Sequence, residues 1–241
     1  MTTAADIKNA LAAQASPEKA AKSMWFFKTG KGEYSAHDQF IGVTVPEQRA
    51  IAKQFRDASM TVLAQLLKSK IHEHRLTALI ILTDRFPKAD SETKQAIYDF
   101  YMSHIQAVNN WDLVDTSAGK IVGGFLYTES RAEQKRVLLK LARSRDLWEQ
   151  RIAIIATQYF IAHDDFVWTQ TIADMLMNHP HDLIHKATGW MLREMGKRGG
   201  DDILETYLKS RYTTMPRTML RYAIERLPET RRKQYLHGTI S

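Results

Sequence analysis

Apolar residues recur at i, i+3, i+4 and i+7 through almost the whole chain, and strand-like alternation is hard to find. The stretches AIYDFYMSHI, AEQKRVLLKLARS, LWEQRIAIIATQYFIA, DFVWTQTIADMLM, DLIHKATGWMLREMGK and DDILETYLKSR each carry this period. Punctuation falls where helices should begin. Ser16-Pro17-Glu18, Thr44-Val45-Pro46-Glu47 and Ser91-Glu92 have the form of N-terminal caps with proline or acid in the first turn. Gly199-Gly200 should end one helix and Asp201 cap the next. The one aperiodic, glycine-rich segment is KTGKGEYSAHDQFIG, residues 28–42, which lacks phosphate-cradle spacing and reads as a surface insertion. Lys28, Lys31 and Tyr34 lie within it.

A faint internal repeat narrows the architecture. HEHRLTALIIL, WEQRIAIIAT, IHKATGWML and MPRTMLRYA each bring a basic residue into a helix of small and apolar residues. The basic residues are Arg75, Arg151, Lys186 and Arg217. Asp115 falls between the first two, and the successive intervals are 40, 36, 35 and 31 residues (115 − 75, 151 − 115, 186 − 151, 217 − 186). Such a period in an all-helical chain predicts a right-handed α-solenoid of HEAT-like helical repeats, one domain over residues 1–241, with a basic concave face. Stacking would set Arg75, Asp115, Arg151, Lys186 and Arg217 along one surface that fits a duplex. The alternative for each arginine is structural, its stem packed on a neighbour and its guanidinium bonded to a loop carbonyl.

Composition excludes several function classes. Without cysteine there are neither disulfides nor thiolate metal sites. His181 and His185 stand at i, i+4, but no third ligand lies near in sequence, so no metal or cofactor is expected. There is no Ser-His-Asp order and no nucleophile elbow. With neither a signal-type leader nor an unbroken apolar span, the expectation is a cytoplasmic protein without membrane contact. Lys and Arg total 34 against 27 Asp and Glu, a net +7 that favours a polyanionic partner.

Chemistry concentrates around NNWDLVDTSAG, residues 109–119. Trp111 and Asp115 are i, i+4 and share a helical face, an indole and a carboxylate that together suit a cationic guest. Trp148 stands near Arg151 and Trp190 near Arg193 in the same way. Asp112 reads as a helix-start acid and Trp148 as core.

At these residues the sequence resembles the AlkD-like DNA alkylation repair family of HEAT-repeat DNA glycosylases. WDLVDTSAGKIVG, LWEQRIAIIAT and KATGWMLREMGK are similar to the family's signature blocks, and SPEKAAKSMWFFK and QFIGVTVPEQRAIAKQF to its N-terminal ones. The resemblance implies a monofunctional glycosylase that releases cationic N3- and N7-alkylated purines from duplex DNA. It puts the catalytic carboxylate on Asp115, its aromatic partner on Trp111, the groove arginine on Arg151 and the second tryptophan on Trp190. Arg75, Lys186, Arg193, Arg217, Lys28 and Lys31 would contact DNA, and Phe26 would lie near the lesion where the family often has tyrosine. The 28–42 loop is longer than in the family member compared. The expected partner is DNA containing alkylated bases, bound by a monomer with no obligate protein partner. Two other readings are a non-catalytic DNA-binding member of the family and a scaffold for proteins.

Overall fold

A computed structural model describes residues 2–240. The chain is all-helical, an α-solenoid of helical repeats. Among the described residues the one departure from helix and turn is an isolated parallel bridge between Gln39 and Ile71. The chain divides into two compact units, residues 1–117 and 118–241.

The first unit contains α1 (Ala4–Ala12), α2 (Pro17–Phe26), α3 (Val45–Gln54), α4 (Met60–Leu67), α5 (His72–Arg85), α6 (Ser91–Ser103) and α7 (Trp111–Ala118), whose last residue crosses the division. Ser16 caps α2 with Pro17 behind it, and Thr44 and Glu47 form a capping box at α3. At α6 the cap is Asp90, one residue earlier than expected, because its carboxylate accepts the Thr93 amide at 2.8 Å. The centre of the unit is α5, buried without a break from His72 to Thr83 and packed on α1, α3 and α4. A helix covered on every side loses its amphipathic stripe. That explains why its first turn, His72-Glu73-His74-Arg75, can be charged and still lie inside the fold.

The second unit begins with a π-helical turn at Gly119–Gly123 and continues through α8 (Gly124–Leu126), α9 (Arg131–Ala142), α10 (Leu147–Ala162), α11 (Val167–Leu176), α12 (Asp182–Gly199), α13 (Asp201–Leu208), α14 (Arg217–Ala223) and α15 (Glu229–His237). Packing skips one element at a time. The helix α10 lies on α12 and α12 on α14, while α9 lies against α11. Contacts between every second helix are the mark of stacked helix pairs. Gly200, at φ 101°, ends α12, and Asp201 is a first-turn acid of α13 and not its cap.

Arginine–carboxylate clasps repeat at nearly the sequence period of the helix pairs. Arg193 pairs with Glu225 and Arg198 with Asp164. Arg211 grips Asp174 through two bonds of 2.7 and 3.0 Å, and Arg231 holds Glu205. At Gly189 of α12 the backbones approach closely, and an added Cβ would lie 2.4 Å from the Met219 carbonyl oxygen of α14. Neither backbone can yield without moving its helix. Gly189→Ala is therefore expected to destabilise the fold by about 1–3 kcal/mol, read as a lower urea midpoint; an unchanged midpoint would show the helices are free to part.

Candidate functional site

The loop at residues 28–42 lies at the surface of the first unit and is anchored to it by a few buried residues. Ser35 and Asp38 are buried. The loop is fastened to α5 at two levels. The Gln39 amide donates to Lys70 O at 3.0 Å and the His72 amide to Gln39 O at 2.8 Å. Below this, one Glu73 carboxylate oxygen accepts the amides of Ile41, Gly42 and Val43 at 3.0, 2.8 and 3.4 Å.

Asp38 is the centre of a closed polar knot. Its carboxylate accepts from Arg75 Nη2, from His72 Nδ1 at 3.0 Å, from Asn110 Nδ2 at 2.8 Å and from Ser35 Oγ at 2.9 Å. On the far side of the imidazole, His72 Nε2 lies 2.8 Å from Asp112 Oδ2. Two carboxylates thus face two cations, so the buried charge cancels. Burial alone would raise Asp38, but His72 and Arg75 hold its carboxyl well below the ordinary range. Burial would likewise lower His72, yet the carboxylates of Asp112 and Asp38 outweigh it and raise the imidazole to about 9. Both ring nitrogens then donate. Two residues away, His74 is pushed down to about 4 by burial and by the charges of Lys8 and Arg75.

This knot sets the entry to α7. Asn110, fully buried, gives its side-chain NH2 to Ser35 and Asp38 while its Oδ1 accepts the Trp111 amide at 2.8 Å. Asp112 holds His72 with one oxygen and the Leu113 amide with the other. Trp111 stands between these two fixed neighbours. Its ring stacks on Phe27 at 5.2 Å with 13° between planes, and Phe26 meets its edge at 6.0 Å. Phe27 in turn packs on Phe40 and His72. One helical turn on, Asp115 is half-buried. Its charge reaches Tyr101, whose phenol burial already holds far above its ordinary range and which bonds Ser117 Oγ at 3.0 Å.

The remaining residues singled out from sequence have mixed settings. Arg75 is not a surface cation. It is 3% exposed, its guanidinium donating to Asp38 and to Ser69 O. In the second unit Arg151 is 4% exposed and donates Nη1 to Leu183 O. The carbonyl that Arg75 bonds belongs to a loop, and the one that Arg151 bonds to the first turn of α12. Arg193 is held by Glu194 and Glu225, and Lys186 pairs with Asp182 at 2.8 Å. Trp190 is half-buried with Nε1 donating to Glu194 Oε1 at 3.1 Å, Trp148 is core, and Arg217, Lys28 and Lys31 are exposed. The charges in HEHR at the head of an otherwise apolar helix, opposite the Asp38 loop, were the legible sign of the knot.

Two predictions test the knot. Asp38→Asn strands the Arg75 and His72 charges in the interior and is expected to cost about 3–5 kcal/mol, measured by urea unfolding; a loss below 1 kcal/mol would mean that the pairs contribute little. The histidines give stability a pH dependence of known sign. His72, raised from 6.5 to about 9, contributes fully below pH 6.5 and loses its contribution as pH rises through 9. His74, lowered to about 4, contributes above pH 6.5 and loses that as pH falls through 4. Urea midpoints should therefore peak near pH 6.5, and His72→Gln should flatten the alkaline limb.

No helix among the described residues is long and apolar enough to cross a membrane, and none of their His, Asp and Glu side chains cluster in threes fit for a metal. No curated protein matches the chain. A solved structure, "Predicted DNA alkylation repair enzyme from Enterococcus faecalis", is similar over 90% of this chain and 98% of its own, with TM-score 0.69 and 20% identity, a likeness of fold. The family model described as DNA alkylation repair enzyme matches residues 7–227. This chain belongs to the DNA alkylation repair enzyme family.

Proposed function

We propose that this protein is a DNA glycosylase that hydrolyses the N-glycosidic bond of cationic N3- and N7-alkylated purines in duplex DNA. The observation that carries the reading is the Trp111–Asp115 pair of α7, an indole and a half-buried carboxylate one turn apart, held at the helix entry by the Asp38 knot. An alkylated purine already bears positive charge and leaves without a strong general acid. The barrier lies in the oxocarbenium character that grows on the deoxyribose as the bond breaks. Asp115 opposes that charge and orients or deprotonates the attacking water. The Trp111 ring, backed by Phe27, presents π density to the same cation.

Arg151 and Trp190 take their roles from the family resemblance. Arg151, its guanidinium already oriented by Leu183 O, is assigned a phosphate, and Trp190 the sugar and adjoining backbone. Exposed Arg217, Lys28 and Lys31, with Lys186, supply further backbone contact. The protein would act as a monomer in the cytoplasm, and the reaction needs neither metal nor cofactor.

The test is release of 7-methylguanine from methylated duplex DNA. Asp115→Asn should keep DNA affinity and lower release by about a hundredfold or more; equal release by the two proteins would remove Asp115 from the mechanism. Binding without release by the wild type would leave a non-catalytic DNA-binding role. An uncharged lesion should be a poor substrate, because both protein and leaving group lose the charge they use.

A further inference from the structure

The last turn of α2 is built unlike any other helix end in the first unit. Ala20 is the one buried residue of the helix. The N-terminal half is pressed against the chain at Gly42, where a Cβ would lie 2.1 Å from Ser16 O and 2.6 Å from the Ala20 amide nitrogen. From there the helix runs outward and ends on Met24, Trp25 and Phe26, exposed by 41%, 77% and 57%. A tryptophan ring so open leaves its largest apolar surface in water, and three such residues in sequence mark an interaction surface.

This turn is fixed. Phe27, the next residue, is wedged between Phe40 and Trp111 by stacking on both. Lys28 adopts φ 59°, in the left-handed region, its amide donating to Trp25 O at 3.3 Å, and the Thr29 amide closes on Met24 O at 3.2 Å. The reversal lays Lys28 Nζ over the Trp25 ring, 5.7 Å from its centroid. The same turn reaches the proposed catalytic pair, since Phe26 meets the edge of Trp111.

We infer that Trp25 is a stacking platform for a nucleobase that has lost its partner in the duplex, with Lys28 taking an adjoining phosphate. This deepens the DNA glycosylase reading and rests on its DNA-binding part. Ring and ammonium match the two chemistries a nucleotide offers, a π face and a phosphate charge. A fully paired duplex hides its base faces, so the platform finds a partner only where pairing is broken. Lys28 covers the ring in the free protein and moves to the phosphate when a base arrives. Recognition of broken pairing, and not of the alkyl group, then brings the lesion strand to Trp111 and Asp115.

The experiment compares binding of two labelled duplexes, one fully paired and one carrying a single-nucleotide bulge, with 7-methylguanine release measured on the same proteins. Trp25→Ala is expected to weaken bulge binding about tenfold while changing paired-duplex binding less than twofold, and Trp25→Phe should retain most of the bulge preference. Lys28→Ala should weaken bulge binding and reduce its salt dependence. Because Trp25 is exposed, the thermal midpoint should not move. Equal bulge binding by wild type and Trp25→Ala overturns the inference, as does an equal loss on both duplexes. So does a dimer in sedimentation that Trp25→Ala dissolves, which would assign the surface to a second copy of the chain. Release by the wild type without any effect of Trp25→Ala defeats the platform alone. A Trp25-dependent bulge preference without release defeats the glycosylase reading alone.

Discussion

Asp38 is the residue on which the first unit turns. A carboxylate with no exposed side-chain surface is tolerated only if every lone pair is met, and here Arg75, His72, Asn110 and Ser35 meet them. The partners arrive from three places in the chain: Ser35 from the loop itself, His72 and Arg75 from the first turn of α5, and Asn110 from the entry to α7. The four cannot converge unless all three segments are in place. The knot therefore specifies one arrangement of loop and helices, where apolar packing alone would accept several.

That arrangement reaches the chemistry through neighbours. Asn110 and Asp112 flank Trp111 and are both tied to the knot, while Phe27 closes on the ring from α2. The orientation of the indole is thus decided by residues that do not touch a substrate. Beyond Asp115 the helix passes into the π turn at Gly119–Gly123. Gly123 lies so near α10 that a Cβ would sit 2.2 Å from Ala156 O, and the wide turn accompanies that close approach.

The basic residues show how differently one charge can be used. Read along the chain, Arg75, Arg151 and Lys186 have the same look as Arg217: a cation near a helix start in repeat register. In the fold, Arg75 neutralises a buried aspartate, Arg151 bonds a carbonyl in the first turn of α12, Lys186 pairs with Asp182, and Arg217 is exposed. The repeat itself was genuine, because clasps such as Arg198–Asp164 and Arg211–Asp174 join residues 34 and 37 apart. What the period could not say was whether a given arginine faces solvent or its own neighbours.

Sequence by itself determined the helices, their caps to within a residue, the repeat, and the pairing of Trp111 with Asp115 on one face. All of these are set by neighbours within four positions or by a period that recurs along the chain. Tertiary structure alone decided that the 28–42 segment is anchored by a few buried residues, that Arg75 is internal, and that His72 is a charged bridge between Asp38 and Asp112. Those are contacts across 34 to 40 residues, for which local pattern carries no signal. Whether a polar side chain is buried depends on whether a complementary charge is brought to it, and that is settled only when the distant segments meet.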